Sequence, residues 1–436
     1  MSVWSVAGVL LLLGAFGDAQ LKSSPQSAAP SEPKSVTVPA TIDHNRVMID
    51  VDILSLDGVW QPVHAWVDSG NPELELSRRL ASALGLAVSC ELSPEQGKCS
   101  SPPPRAIAIG GMNISLADVK KAEIPAKSAN APGIIAPGTL APGIKAEINI
   151  PSTLLRHYDV LIDFPERKFS IGAPGTIHFL GSSAKVLINA ENGLIQIPSR
   201  IENKKYNLGL DLGASIGFLS PEVFDPLAAA HADWPHMTGA VGPANMWGAD
   251  EETTWKVMRL DRVQFGPLFL TDVAFVDFPK DRMEYFAKRA GVLTAGLIGA
   301  NVFLNYRVGF DYAHSMVYFD IGRLYTFPEF TVVGLTLRPE DDGRFTVLAV
   351  EGAEGAAPTS QSGESVQPGD HLVAVDDIAV SGSTMGQVWS MLGGTPGQER
   401  RLTVERGGKE LVVSAKVQQF LEVAPDNEAG KKKSKR

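Results

Sequence analysis

The chain has 436 residues, enough for about three domains at roughly 150 residues each, so a single small module is excluded. Its 44% hydrophobic and 20% charged residues mark a chain that folds, neither disordered nor membrane-embedded. A formal charge of -10 removes the basic footprint of a nucleic-acid binder, and two cysteines are too few for a disulfide scaffold or a four-thiolate metal site.

Residues 9–16 are an apolar run of signal-peptide length, too short to span a bilayer, and Gly17-Asp18-Ala19 supplies small residues for a cut after Ala19. Residues 1–19 are therefore expected to be a signal peptide, with export to the periplasm or the outside as a soluble body and no membrane span. The Ser, Pro and Ala content of 20–35 reads as a flexible linker. Apolar periodicity then becomes two. Val47, Ile49, Val51 and Ile53 alternate with Asp50 and Asp52, and Leu56-Asp57-Gly58 turns into a second extended run over 60–67, which predicts a hairpin. A helix is predicted over 77–84, with Ser77 as N-cap and Gly85 at its end. Cys90 and Cys99 are close enough to close one short loop, which an oxidising compartment permits. A polar turn at 202–205 precedes another extended run over 206–210, and Ser220-Pro221-Glu222 opens another helix. The body is mainly β.

An internal repeat organises this region. Asp68-Ser69-Gly70-Asn71-Pro72-Glu73-Leu74-Glu75-Leu76-Ser77 returns as Asp211-Leu212-Gly213-Ala214-Ser215-Ile216-Gly217-Phe218-Leu219-Ser220, with Asp, Gly, Leu and Ser at the same offsets. Each copy follows a hairpin and leads into a helix. Tyr158-Asp159-Val160-Leu161-Ile162-Asp163-Phe164 is echoed by Tyr306-Arg307-Val308-Gly309-Phe310-Asp311-Tyr312, and Ile109-Gly110-Gly111 more loosely by Phe265-Gly266-Pro267. Residues 36–175 and 180–325 thus read as two copies of one β lobe.

Two lobes that each present an Asp on a strand-end loop suit acid-pair chemistry. Carboxylates about 3 Å apart cannot both ionise, so they share a proton; one acts as base toward a water while the other donates to the substrate carbonyl. Gly70 and Gly213 let the backbone pass closely under each carboxylate, and a hydroxyl such as that of Ser69 can brace the opposite loop.

Val67-Asp68-Ser69-Gly70 and Leu210-Asp211-Leu212-Gly213-Ala214-Ser215, with Gly296-Leu297-Ile298-Gly299-Ala300-Asn301-Val302-Phe303-Leu304, resemble the active-site and closing-helix signatures of retropepsin-like and pepsin-like aspartyl proteases. The resemblance covers roughly residues 40–325. It implies Asp68 and Asp211 as the catalytic dyad, water as nucleophile, Ser69, Gly70, Gly213 and Ser215 as loop support, and a β-hairpin flap, for which the Gly-rich stretch 237–248 is the candidate in the second lobe. Leu212 departs from the family's Ser or Thr, removing one bracing hydroxyl worth ~1 kcal/mol. Glu147-Ile148-Asn149-Ile150-Pro151 departs from its apolar pair and Gly.

From about residue 332 a third unit begins, spanning 331–418. Val366-Gln367-Pro368-Gly369-Asp370 followed by an alternating strand, with strands near 345–350 and 401–406 and a helix over 384–392, resembles a bacterial-type PDZ domain. That resemblance implies capture of a C-terminal peptide by strand addition, with Gly334, Leu335, Thr336 and Leu337 as carboxylate loop and Val388 and Leu392 lining the groove. A groove closed and used only for packing on the lobes is the alternative. Residues 426–436 read as a basic disordered tail.

Rival signals are weaker. Gly213-Ala214-Ser215-Ile216-Gly217 fits a serine nucleophile elbow, but its flanks are hairpin-like and the elbow leaves 68–77 unexplained. His231 and His236 lack further ligands, so neither metal nor cofactor is expected. Asp163 and Asp311 read as structural carboxylates, and Asn113-Ile114-Ser115 fits a glycosylation acceptor. The expectation is an exported aspartic endopeptidase acting on peptide or protein substrates. Three alternatives stay open: an inactive two-lobed peptide-binding scaffold, a serine hydrolase using Ser215, and lobes that pair only with those of another chain.

Overall fold

The computed structural model describes residues 33–91, 98–125, 140–141, 143–323, 329–340, 342–352 and 365–422. The expected signal peptide, most of the 20–35 linker and the basic tail lie outside the described residues.

β1 (Ser35–Asp43) and β2 (Arg46–Leu54) form a hairpin around His44 and Asn45, both with positive φ (52° and 63°), the twist a two-residue connection requires. β2 then pairs with β3 (Trp60–Asp68). The predicted alternation holds along β2: Val47, Ile49, Val51 and Ile53 are buried and Asp50 is exposed. Beside β3 lies a short parallel strand, Ile148–Pro151, with Val67 opposite Ile150 and Asp68 opposite Pro151. The second lobe repeats the plan: Ile195–Ile201 pairs with Lys204–Leu210, which lies parallel to Gly296–Ile298, and Leu210 is opposite Ile298.

The departure at 147–151 therefore still closes the lobe. Asn149, fully buried, accepts from the Glu75 N–H (2.7 Å) and donates through Nδ2 to the Glu73 carbonyl (2.9 Å), an amide tie that takes over part of the closing role.

Helices follow the strands in the same order in both lobes. α1 (Arg78–Ala83) is capped by Ser77, whose Oγ accepts from the Leu80 N–H (3.0 Å), and Gly85 follows with φ of 75°. α2 (Ser152–Leu155) follows the closing strand. α3 (Pro221–Ala230) starts after Ser220, which occupies the N-cap position without a side-chain cap bond, so Pro221 supplies the start signal. α4 (Lys280–Ala290), ended by Gly291 with φ of 72°, belongs to the second lobe only and has no counterpart in the repeat.

The lobes share one sheet, in the order Ser182–Lys185, Met316–Ile321, Tyr306–Asp311, Asp159–Asp163, Lys168–Gly172 and β1. The echoed segments meet antiparallel at its centre, Leu161 opposite Gly309, as a pseudo-twofold relation demands. Asp163 accepts from the Glu166 N–H (2.9 Å) and Asp311 from the His314 N–H (3.0 Å), so both close turns at equivalent points. An apolar core, from Val47 through Phe169 and Phe265 to Phe319, runs through both lobes. This is a mainly β, two-lobed body.

The C-terminal unit is a sheet in the order Leu335–Pro339, Phe345–Val350, His371–Val375, Glu399–Arg406 and Lys409–Lys416. α5 (Met385–Leu392) packs Val388 and Leu392 into its core and opens with a capping box between Thr384 and Gln387. Among the described residues no helix is long and apolar enough to cross a membrane.

Cys90 and Cys99 are bonded, opposite one another on the strands Ser89–Glu91 and Lys98–Ser101. Closing a loop of about ten residues limits the unfolded chain and contributes about 2–3 kcal/mol. Cys90→Ala with Cys99→Ala is expected to lower the melting temperature in calorimetry, matching the reduced parent; identical melting of oxidised parent and double variant would show that the bridge contributes nothing.

Candidate active site

β3 delivers Asp68 and the strand Lys204–Leu210 delivers Asp211 to facing loops. Ser69 bridges the loops: its Oγ donates to the Leu210 carbonyl (3.3 Å) and accepts from the Leu212 N–H (2.9 Å). Leu212, fully buried and apolar, returns no such bond, so the brace is one-sided. The glycines cross over. A Cβ on Gly70 would overlap the Asp211 carboxyl group, and a Cβ on Gly213 would overlap Asp68 Oδ1 while touching Asp211 Oδ1. The two carboxylates therefore flank one point, brought together within one chain.

Burial raises both acids. Asp68, 4% exposed, is pushed well above the usual carboxylate range by burial first, then by Asp211 and Glu75; the Arg289 charge and the Gly70 N–H oppose this. Asp211 is raised by burial against the N–H groups of Gly213 and Ala214, the charge of Arg46 and the Gly70 N–H. Gly213 N–H lies 2.8 Å from Asp211 Oδ1. The pair titrates as a unit.

Four polar groups around the pair were not singled out from the sequence. Arg46, 1% exposed, donates from Nε to the Gly213 carbonyl (3.1 Å) and from Nη2 to the Met246 carbonyl (3.1 Å), with its guanidinium over the Trp247 ring (4.5 Å). Strand parity assigns Arg46 to the face opposite Val47, which is ordinarily wet. Here that face carries Met48 and Trp66 and is covered by Leu140, Ile144, Ala146 and Trp247, so only tertiary structure reveals the burial. Arg289 on α4 reaches the first loop, donating to Asn71 Oδ1 (2.9 Å) and pairing with Glu73. Glu75 is pushed up to about 7 by burial, and accepts from Asn71 Nδ2 (3.2 Å). Asn245 closes the far side, as described next.

The stretch 237–248 is not a free hairpin flap. His236–Thr238 pairs with Lys256–Phe265, but Ala240, Val241, Ala244 and Met246 are buried against the C-terminal unit. Asn245 donates to the Leu337 carbonyl (3.0 Å) and accepts from the Leu337 N–H (2.8 Å), as an added strand would, and the Thr336 hydroxyl donates to the Ala240 carbonyl (2.7 Å). The cavity left between Leu335, Leu337, Met385, Trp389, Leu392, Gly242 and Asn245 is about 10 Å³. Gly334, Leu335, Thr336, Leu337, Val388 and Leu392 thus do not line an open peptide groove; the chain's own loop fills it, because its Asn245 amide satisfies the edge strand.

Ser215 is fully buried and donates from Oγ to the Pro243 carbonyl (2.8 Å), while its own carbonyl accepts from Asn45 Nδ2 (2.9 Å). That makes it a loop anchor and removes the nucleophile-elbow alternative. His231 stacks on Trp234 and pairs with Glu202, and no metal-binding cluster occurs among the described residues.

No family model matches the sequence, and no curated protein matches it. Among solved structures, an aspartic proteinase from Irpex lacteus is similar at a TM-score of 0.39 and 11% identity, over 68% of this chain and 99% of that one.

The raised acid has a stability consequence. Asp68 binds its proton more tightly folded than unfolded, so its stabilising share is full below the ordinary carboxylate range and is lost as pH climbs through the raised value. Asp68→Asn, which keeps the group neutral, is expected to melt above the parent at neutral pH and level with it in strong acid. A variant that melts below the parent at neutral pH would show that the ionised carboxylate is net stabilising there.

Proposed function

We propose that the protein is an aspartic endopeptidase in which Asp68 and Asp211 activate a water against a peptide carbonyl. The observation that carries this reading is the crossed packing of Gly70 on Asp211 and Gly213 on Asp68, which sets both carboxylates around one point. With one proton between them, the ionised acid removes a proton from water as the water oxygen bonds to the scissile carbon, and the protonated acid gives its proton to the carbonyl oxygen. The resulting gem-diol then loses the amine. One acid protonates the nitrogen as the C–N bond breaks, the other takes a hydroxyl proton, and the pair ends with the single proton it began with.

The C-terminal unit serves in this reading as a PDZ-like brace that holds 240–248 against the second Asp loop, not as a receptor for free peptide. Export is part of the proposal, supported by the apolar run at 9–16 and by a disulfide of the kind oxidising compartments maintain. One observation favours the second reading, a two-lobed scaffold without turnover: Leu212 leaves the brace between the loops one-sided.

Peptide release from an unfolded protein substrate in the acid range separates the two. Asp68→Asn and Asp211→Asn are each expected to lower kcat/KM by about 10³-fold or more, since members of a catalytic unit fail together. Equal turnover in both variants and parent would remove the dyad mechanism, and a parent without turnover on any protein substrate would leave the scaffold.

A further inference from the structure

Arg46 stands out among the buried groups. No described carboxylate lies within ion-pair distance of it, although a buried guanidinium is strongly disfavoured without an anion. Its hydrogen bonds go to two carbonyls, those of Gly213 and Met246, and its flat face lies on Trp247 with Trp66 beside it (5.6 Å). Rings and carbonyl dipoles offset part of the cost; the remainder falls to the nearest negative charges.

The charged and titratable groups that face this region are Asp43 and His44 on the β1–β2 turn (with Lys145 and His64 acting on Asp43), Asp68 and Glu75 in the first lobe, Asp211 and Glu252 in the second, and Arg289 and Tyr285 on α4. Most of them are committed elsewhere. Asp43 accepts from the Thr384 hydroxyl (2.7 Å) and is itself raised by burial. Glu252 is held by Asn245 Nδ2 (2.6 Å) and by the N–H groups of Trp247 (2.8 Å) and Gly248 (3.1 Å), and burial pushes it up to about 7. Arg289 is paired with Glu73 and also acts on Asp68. His44, pushed down to about 3 by burial and by Arg46, is neutral. The negative charges left opposite Arg46 are Asp43, which acts on it most strongly, and then the acid pair, of which only the pair is also tied to Arg46 through the Gly213 carbonyl.

We propose that Arg46 is a positioning residue of the acid pair: it fixes the Gly213 carbonyl, and with it the loop under Asp68, while supplying the counter-charge that holds the pair at one ionised and one protonated carboxyl group. The proposal deepens the protease reading and rests on it for its catalytic meaning, but the electrostatic coupling exists whether or not the protein turns over substrate. Removing this cation takes away one of the groups that favour the ionised form, beside Arg289 and the loop N–H groups, so ionisation to the working form moves to higher pH. Lysine keeps the charge and loses the fork that spans two carbonyls.

Two measurements test this. In the pH profile of kcat/KM on an unfolded protein substrate, Arg46→Met is expected to move the acid limb up by about one pH unit, a loss of about tenfold on that limb, while Arg46→Lys keeps the limb near the parent's and lowers the plateau. A profile for Arg46→Met that superimposes on the parent's after scaling would reduce Arg46 to a packing role and overturn the proposal. The second measurement needs no turnover: a double-mutant cycle of Arg46→Lys and Arg46→Gln with Asp211→Asn, read as the midpoint of urea unfolding over pH. Arg46→Gln is expected to shift the midpoint more with Asp211 present than with Asn, and this coupling should vanish in strong acid; Arg46→Lys should retain most of it. Additive midpoints at every pH would overturn the proposal on their own. Inactivity of the parent together with a pH-dependent coupling would instead sink only the protease reading.

Discussion

The structure is organised around two carboxyl groups, Asp68 buried and Asp211 part-buried, that belong to different lobes and share one small space. Like charges in a low dielectric repel strongly enough that both cannot ionise, so the site exists only with a proton, a counter-charge, or both. Each glycine lies where a side chain would displace the opposite acid, which ties the two loops to each other and not merely to their own lobes. Everything that fixes the lobes relative to one another is also, by that geometry, a control on the acid pair.

Those controls are reciprocal. Arg46 comes from the first lobe and holds the loop of the second; Arg289 comes from the second and holds the loop of the first through Asn71 and Glu73. Beneath them, the pairing of Asp159–Asp163 with Tyr306–Asp311 sets the lobes in one sheet. The C-terminal unit adds a third layer. Its edge strand grips Asn245, and α5 meets both the β1–β2 turn, through Thr384 and Asp43, and the first lobe, where the Met385 N–H donates to the Gly143 carbonyl (2.9 Å). A unit that reads as a peptide-capture module thus spends its edge on its own chain.

What the sequence discloses and what it hides divide along a physical line. Local rules are sufficient for the hairpins, for Ser77 capping α1, for the helix over 384–392 and for the two Asp loops, because period-two burial and turn chemistry act over a few residues. The repeat carried the rest of the two-lobed plan. Arg46 was hidden because strand parity describes two faces and cannot say that a third element will cover the polar one. The loop at 237–248 departs from expectation for a related cause: its glycines are compatible with a mobile hairpin, and only the amide of Asn245 matched to the backbone of Leu337 makes it an interior segment. α4 lies outside the repeat, so symmetry could not announce it or the cation it brings.

The unequal loops also make sense together. The first carries the hydroxyl of Ser69, which serves both sides of the bridge between them; the second has Leu212, which can only fill space. A loop that loses a hydrogen-bonding partner at this position must be held by something else or it will drift, since one missing bond leaves the glycine beneath the opposite acid less constrained. The second loop is held on its carbonyl side: Arg46 on Gly213, Asn45 on Ser215, and the Ser215 hydroxyl on Pro243. Two of those three side chains stand on the turn and strand that open the first lobe, and Pro243 belongs to the segment clamped by the C-terminal unit. The support missing at Leu212 is thereby supplied from two other parts of the chain, and the C-terminal unit becomes part of the reason the acid pair is where it is.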